Sequence, residues 1–82
     1  MNPINQLNSE GQRHDYWERY YDNGKLSHKG NYINGNKEGY WEHWYYYGNL
    51  WSKGHYINGI KDGLWDFYYS DGNLNYRELY LN

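Results

Sequence analysis

GYWEHWYYYGNLWSKGHYINGIKD, residues 39–62, is the central copy of a pattern that the chain carries three times. The 24 residues before it read DYWERYYDNGKLSHKGNYINGNKE, and the 20 after it read GLWDFYYSDGNLNYRELYLN, with no gap in the alignment. A fixed period of this length is typical of repeat architectures in which each repeat is one supersecondary unit. We therefore interpret residues 15–82 as one repeat domain with units 15–38, 39–62 and 63–82.

Each unit holds two strand-like runs around a turn signal. Residues 16–21 are aromatic with two charged residues among them, so each face of a strand would carry aromatic and charged side chains in turn. Asp22-Asn23-Gly24 then offers residues that tolerate positive φ, and residues 25–33 form the return strand. Asn34-Gly35 turns the chain into the next unit. The sequence thus predicts an all-β fold, an antiparallel meander of about three β-hairpins with about six strands.

The alternation also assigns side chains to two faces of the predicted sheet. One face carries a row of tryptophans, namely Trp17, Trp41 and Trp65. The other face carries a row of carboxylates, namely Glu18, Glu42 and Asp66. Cations on the return strands are expected to pair with these carboxylates, namely Lys29, Lys53 and Arg77. Because aromatic residues occur on both faces, the sheet is either thin and partly exposed or rolled so that one face is enclosed.

Length and composition limit the alternatives. A chain of 82 residues makes at most one small domain, and its scarcity of strong helix formers and wealth of glycine and asparagine disfavour a helical bundle. The absence of cysteine excludes disulfides, thiolate zinc sites and cysteine nucleophiles, and it suits a reducing compartment. No apolar run is long enough to span a membrane, and no secretory signal follows Met1. A cytoplasmic location is expected.

Residues 1–14 lie outside the repeat and are expected to form an N-terminal arm or cap. Pro3 is suited to start one helical turn with Ile4 and Leu7 as its apolar side. A flexible arm and an additional edge strand are the other two interpretations, and the sequence does not decide among the three.

The pattern G-x-W-x-x-Y-Y-x-x-G-x-L-x-x-x-G-x-Y-x-x-G resembles the MORN repeat, specifically the bacterial MORN-repeat-variant class of antitoxin-like proteins. In the central unit the matching residues are Gly39, Trp41, Tyr45, Gly48, Leu50, Gly54, Tyr56 and Gly59. Asp15 replaces the opening glycine and Glu78 the last internal one, at the two ends, where a repeat array must differ to cap itself. The resemblance implies a short MORN-like β-hairpin array that binds proteins or lipids, with no catalysis and no cofactor.

The central unit differs from its neighbours in its aromatic residues. Tyr46-Tyr47 stands where the neighbours have Asp22-Asn23 and Ser70-Asp71, and two tyrosines are poor turn chemistry. Trp51 replaces Ser27 and Asn75, and Trp44 replaces two tyrosines. Since exposed Tyr and Trp dominate interface hot spots, we expect a partner-binding site. Its residues are Trp44, Tyr46, Tyr47 and Trp51. The competing interpretation is that the N-terminal arm covers them as core.

The sequence gives little support for a metal site, a catalytic site or a nucleic-acid-binding site. The four histidines lack zinc-site spacing, so no metal is expected, and the carboxylate row repeats one structural position, so no catalytic residue is expected. Nucleic acid is not an expected partner, since ten carboxylates outnumber eight Lys and Arg. A lipid-binding stripe is conceivable from five lysines, Lys25, Lys29, Lys37, Lys53 and Lys61.

These observations favour a non-enzymatic protein-binding module. The expected partner is another protein, a target enzyme or toxin, that the chain neutralises as an antitoxin-like protein or a phage anti-defence inhibitor. A membrane-surface, phospholipid-binding MORN-type module is the alternative, with membrane binding the less expected. A homodimer through the sheet edge, with Leu79 and Leu81 in contact, is a further expectation.

The tryptophan row predicts one stability effect. Trp41→Ala should lower the free energy of unfolding by about 3–5 kcal/mol, because it removes the large apolar side chain of the central unit. Urea denaturation of the two proteins measures this difference. A loss below about 1 kcal/mol would show that Trp41 is not core.

Overall fold

A computed structural model describes residues 4–81 as one open, seven-stranded sheet. The strands are β1 (Gln6–Leu7), β2 (Arg13–Tyr20), β3 (Leu26–Ile33), β4 (Asn36–Trp44), β5 (Leu50–Ile57), β6 (Ile60–Tyr68) and β7 (Leu74–Tyr80). They lie in chain order, and every neighbouring pair is antiparallel. The all-β prediction of a hairpin meander is confirmed. Within 4–81 there is no helix of the length and hydrophobicity that crossing a membrane requires.

The N-terminal segment adds an edge strand to the sheet. Gln6 and Leu7 pair with His14 and Arg13 of β2, so no helical turn forms at Ile4–Leu7. The helical interpretation was wrong because the backbone groups of this segment serve the open edge of β2; Pro3, its proposed first residue, lies outside the described residues. The side chain of Asn5 extends this edge, since its carboxamide accepts from the Glu18 N–H at 2.8 Å and donates to the Glu18 carbonyl at 3.1 Å.

Two of the reversals are two-residue Asn-Gly turns. Asn34 and Gly35 have φ values of 49° and 85°, and Asn58 and Gly59 have 50° and 81°. Positive φ at both central residues is the requirement of a type I′ turn, whose twist matches that of the flanking strands. The Asn-Gly pairs therefore fix the register of β3 with β4 and of β5 with β6.

The other hairpin tips use only one residue of positive φ. The Gly24 N–H donates to the Tyr21 carbonyl at 3.0 Å, and Gly24, Gly48 and Gly72 have φ values of 86°, 107° and 96°. Of the three turn residues that tolerate positive φ, Gly24 adopts it, whereas Asp22 and Asn23 do not. In this geometry a type I turn precedes one left-handed glycine, and the turn itself accepts most residues.

The core lies on one face of this single sheet, which we call the aromatic face. Six rings follow one another edge to face across the strands, with centroids 5.0–6.5 Å apart and ring planes 79–86° apart. This aromatic ladder consists of Trp17, Tyr32, Trp41, Tyr56, Trp65 and Tyr80. Trp41 and Trp65 have no exposed surface. Edge-to-face rings of this kind stabilise beyond the area that they bury.

Glycines on the return strands make room for the indoles. A Cβ atom at Gly30 would overlap the ring of Trp41, and one at Gly54 would overlap the ring of Trp65. The register shifts at both glycines, which lets the following strand place its indole directly over the backbone. The indole N–H of Trp41 donates to the Asn31 carbonyl, and that of Trp65 donates to the His55 carbonyl, both at 3.0 Å. Both carbonyls belong to the return strands.

The two ends of the array depart from this pattern for physical reasons. No strand follows β7 in 4–81, so no indole has to fit over Glu78, the residue at the Gly30 and Gly54 position. At the other end the indole N–H of Trp17 donates to the Gln6 carbonyl at 2.9 Å, so β1 stands in for a return strand. Asp15 nevertheless keeps the positive φ of its glycine counterparts, at 63°.

The opposite face carries a row of alternating charges, which we call the charge ladder. Its members are Glu18, Lys29, Glu42, Lys53, Asp66 and Arg77, each in register with the next. Lys29 lies 3.7 Å from Glu42, and Arg77 donates to Asp66 at 2.7 Å. The predicted pairing of carboxylates with cations across strands is thus confirmed for these two pairs.

The fit of glycine under tryptophan yields a stability prediction. Gly54→Ala should lower the free energy of unfolding by about 1–3 kcal/mol or more, because the added methyl overlaps the indole of Trp65. Glu78→Ala is the matched control, since no indole lies over that position, and it should change stability by less than about 0.5 kcal/mol. Equal losses in the two variants, measured by urea denaturation, would contradict this packing.

Candidate functional site

The tip of the central hairpin presents two tyrosines on an ordinary turn. The Gly48 N–H donates to the Tyr45 carbonyl at 3.0 Å, and of the turn residues only Gly48 has positive φ. Tyr46 and Tyr47 therefore occupy positions of a type I turn that accept most residues. The expectation that two tyrosines are poor turn chemistry was wrong. The turn neither excludes nor requires them.

Tyr46 and Tyr47 are adjacent but differ in their contacts and in their exposure to solvent. The Tyr46 hydroxyl donates to the Asp22 carboxylate at 2.6 Å, and its ring lies 5.2 Å from that of Tyr21. The Tyr47 ring meets Tyr46 edge to face at 5.4 Å and is 82% exposed. Tyr46 thus holds one side of Tyr47 while the rest of its ring faces outward.

Trp51 occupies a β-bulge beside this tip. His43 pairs with Ser52 and Trp44 with Leu50, so Trp51 is the extra residue of β5. Its ring contacts His43 at 6.1 Å and Tyr45 at 6.3 Å, yet it remains 45% exposed. The bulge directs Trp51 to the aromatic face at the tip end of the sheet. Bulges commonly re-aim a side chain in this way.

Trp44 lies apart from the other three predicted site residues. It follows Glu42 on the face of the charge ladder, where the Lys29 ammonium is 5.5 Å from its ring centroid. At the end of the central hairpin Tyr46 contacts Tyr47, and Trp51 contacts Tyr45; we call Tyr46, Tyr47 and Trp51 the tip cluster. The four predicted residues thus share one tip but divide between its two sides.

The N-terminal segment does not cover the tip cluster. Residues 4–12 run along the outer edge of β2, and the Asn8 side chain donates to Asn34 at 3.0 Å. Asn34 belongs to the reversals at the far end of the strands from the tips. The interpretation of Tyr46, Tyr47 and Trp51 as core under the N-terminal arm is therefore wrong for the described part of the arm.

Two histidines pack into the aromatic face. His28 and His43 lie opposite each other on β3 and β4 with ring centroids 5.5 Å apart, and His43 stacks on Trp41 at 6.1 Å. The Nε2 atom of His43 is buried without a partner. Burial, followed by the charge of Lys37, lowers the pKa of His43 to about 4. Residues 4–81 bring together no group of three or more metal-ligating side chains.

Neighbouring side chains form hydrogen bonds or ion pairs with the carboxylates of the row. Tyr20 and Tyr16 donate to the two oxygens of Glu18 at 2.6 and 2.8 Å, and these hydrogen bonds lower the pKa of Glu18. Tyr40 donates to Glu42 at 3.1 Å, and Arg77 pairs with Asp66. Each carboxylate of the row is thus hydrogen-bonded or ion-paired within the sheet.

A row of cations over the aromatic ladder is the feature that the sequence reasoning missed. Arg13, Lys37 and Lys61 each place their charge 5.0 Å from an indole centroid, those of Trp17, Trp41 and Trp65 respectively. We call these three residues the cation row. The signal was present, since each cation precedes a tryptophan by four residues at the 24-residue period.

The cation row also corrects the proposed lysine stripe. Lys29 and Lys53 belong to the charge ladder, whereas Lys37 and Lys61 lie over the aromatic ladder on the other face. Lys25 sits at a tip, where its ammonium donates to the Tyr47 carbonyl at 3.3 Å. The five lysines thus divide among three places and form no single stripe.

Comparison of the chain with family models, with curated proteins and with solved structures finds no match. The MORN resemblance of residues 15–82 stays a prediction from the motif residues.

His43 gives a prediction for pH dependence. An unfolded histidine takes up a proton near pH 6.5, but the folded His43 does so only near pH 4, so stability is lost as pH falls through this window. His43→Phe, which copies Phe67 of the third unit, should raise stability at pH 7 and lose less of it between pH 6.5 and 4. Urea denaturation at both pH values measures this, and equal losses in the two proteins would contradict the burial of His43.

Proposed function

We propose that this chain is a small non-enzymatic binding protein that occupies a partner protein and blocks its activity. The tip cluster is the observation that carries the proposal. Its aromatic rings are exposed on a rigid hairpin, and neither the turn nor the bulge requires them, because the neighbouring units use small polar residues there. Exposed tyrosine and tryptophan on fixed backbone supply interface area at low entropic cost.

The geometry suits a contact made with little rearrangement. Tyr46 is held by its hydrogen bond to Asp22, and Trp51 rests against His43 and Tyr45. Preorganised rings lose little conformational freedom on binding, which favours affinity. Trp44 extends the contact to the other side of the tip for a partner large enough to straddle it.

The resemblance to MORN-variant antitoxin-like proteins supports an inhibitor as the class of protein proposed. A toxin or a defence enzyme is the kind of partner that such a protein would inhibit, in the cytoplasm, without cofactor or metal. A phospholipid surface is the alternative partner, but the division of the lysines among two faces and a tip gives it no continuous basic stripe. Single-stranded nucleic acid is disfavoured because most rings of the aromatic ladder are buried.

The proposal includes self-association through the outer edge of β7. The outer edge of β7 has no partner strand among residues 4–81, and Leu79 and Leu81 are exposed there. Arg77 and Glu78 place charges on this edge, which limits pairing between edges. Gel filtration across concentrations distinguishes a monomer from a dimer.

Affinity capture from a bacterial lysate tests the proposal. Tyr47→Ser/Trp51→Asn should lose a protein that the wild type retains, while its unfolding stays cooperative, because neighbouring units carry Asn23 and Asn75 at these positions. Leu64→Asn is the control, removing a comparably exposed apolar side chain from the opposite face. No retained protein, equal retention by the tip variant, or retention of membranes alone would contradict the proposal.

A further inference from the structure

The charge ladder is complementary to a reversed copy of itself. From β2 to β7 its charges alternate in sign, beginning with a carboxylate and ending with a cation, and neighbouring members are in register. Because the number of strands in the ladder is even, reading it from the other end exchanges the sign at every position. A second ladder laid over the first in reverse order therefore presents an opposite charge to each member.

A two-fold axis parallel to the strands produces this reversal. Rotation about such an axis turns the second copy face to face with the first and places its β7 over β2, while each residue keeps its position along the strand direction. The facing pairs are Glu18 with Arg77, Lys29 with Asp66, and Glu42 with Lys53. A two-fold axis across the strands would instead place each charge over its own equivalent. The signs therefore select the axis parallel to the strands.

The side chains of the ladder can accept a second partner. Lys29 and Arg77 remain 37% and 62% exposed, although each already pairs with a carboxylate of its own sheet. Charges that are paired before association are not left without a partner when a contact covers them. That is the condition under which charged groups are tolerated inside an interface.

Exposed apolar and aromatic side chains flank the ladder on the same face. Tyr20 and Tyr40 donate to Glu18 and Glu42 of the ladder, and their side chains are 54% and 45% exposed. Leu79 lies two residues from a ladder cation on β7 and is 57% exposed. A face-to-face contact would remove this apolar surface from water, which the charge pairs alone do not provide.

The size of the face agrees with what a stable dimer needs. The strands β2 to β7 are 7–9 residues long. At about 3.3 Å per residue and about 4.8 Å between strands, they cover roughly 750 Å² on each copy. A stable interface of ordinary size buries about 800 Å² on each partner. Two sheets of the same twist stack face to face with their strand directions about 30° apart, so the twist does not prevent the contact.

We propose that this chain forms a two-fold symmetric dimer in which the charge ladders of two copies face each other in reverse order. A second copy matches every position of the ladder at its own spacing, whereas a polymer of one charge would match only half of them. The contact goes beyond the proposed inhibition, and it differs from pairing at the edge of β7, which joins strands side by side. The tip cluster lies outside it, because Trp51 reaches the aromatic face.

Sedimentation equilibrium of the full chain over a concentration series tests the dimer. The wild type should be a dimer at low ionic strength, and added salt should weaken it. Glu42→Lys and Lys53→Glu should each weaken it by about tenfold or more, since two-fold symmetry makes one reversal bring like charges together twice. Glu10→Lys is the control with the same change of charge at an exposed position outside the ladder, and it should leave the dimer unchanged.

Mixing the two ladder variants provides the decisive measurement. An equimolar mixture of Glu42→Lys and Lys53→Glu should form a one-to-one dimer, because each reversed charge again faces an opposite charge. A role for these residues within one sheet alone does not produce this recovery. If thermal unfolding shows that either variant is unfolded, Glu18→Lys and Arg77→Glu, the outermost facing pair, take their place.

Several results would overturn the face-to-face dimer. These are a wild type that stays monomeric, folded ladder variants that do not recover on mixing, and equal weakening by Glu10→Lys. A dimer that both ladder reversals leave intact would also overturn it and would indicate pairing at the β7 edge. Lysate capture tests the inhibitor proposal separately, since monomeric Glu42→Lys should retain the same protein as the wild type. Loss of capture beside an intact dimer contradicts the inhibitor proposal alone.

Discussion

The packing of a tryptophan over a glycine on the preceding strand is the constraint on which this sheet depends. A single-layer sheet has no second layer to cover its core, so the core must be built from side chains lying flat along one face. Gly30 and Gly54 permit this by leaving backbone bare beneath the indoles of Trp41 and Trp65. The indole N–H bonds to Asn31 and His55 fix the same register that the Asn-Gly turns impose. Local turn chemistry and core packing therefore specify one arrangement.

The cations complete this core in place of a second layer. Arg13, Lys37 and Lys61 hold their charges over the indoles, a cation–π arrangement. One set of residues thus serves as the cover of the core and as the charged surface of the same face. The tip cluster differs in this respect, because its rings are additions to a turn that folds without them.

Most of the fold could be predicted from the sequence because the 24-residue period shows each structural position three times. The tryptophan row, the charge ladder and the Asn-Gly reversals were read from alternation and turn chemistry. What the sequence did not give was the path of residues 4–12, where Ile4 and Leu7 suit a helical turn as well as a strand. The edge of β2 decided between them, since Glu18 has backbone groups that Asn5 satisfies.

The site was harder to predict than the fold. Tyr46 and Tyr47 were judged against the wrong turn type, because the sequence does not show that only Gly48 needs positive φ. Lys37 and Trp41 flank Gly39, whose φ of 76° accompanies the register shift at Gly30, and the two side chains come into contact although they are four residues apart. Strict alternation of side chains along a strand does not predict that shift. The sequence therefore suggested a stripe of lysines, and the cation row was missed.

Every pairing in the sheet joins strands that are consecutive in the chain. Sheet proteins usually fold slowly because distant segments must meet, and that loop-closure cost is absent here. Each hairpin docks onto the one before it, and the first is already closed by β1 and Asn5. Because neighbouring strands in the sheet are also neighbours in the chain, each hairpin has its template strand already synthesised when it emerges.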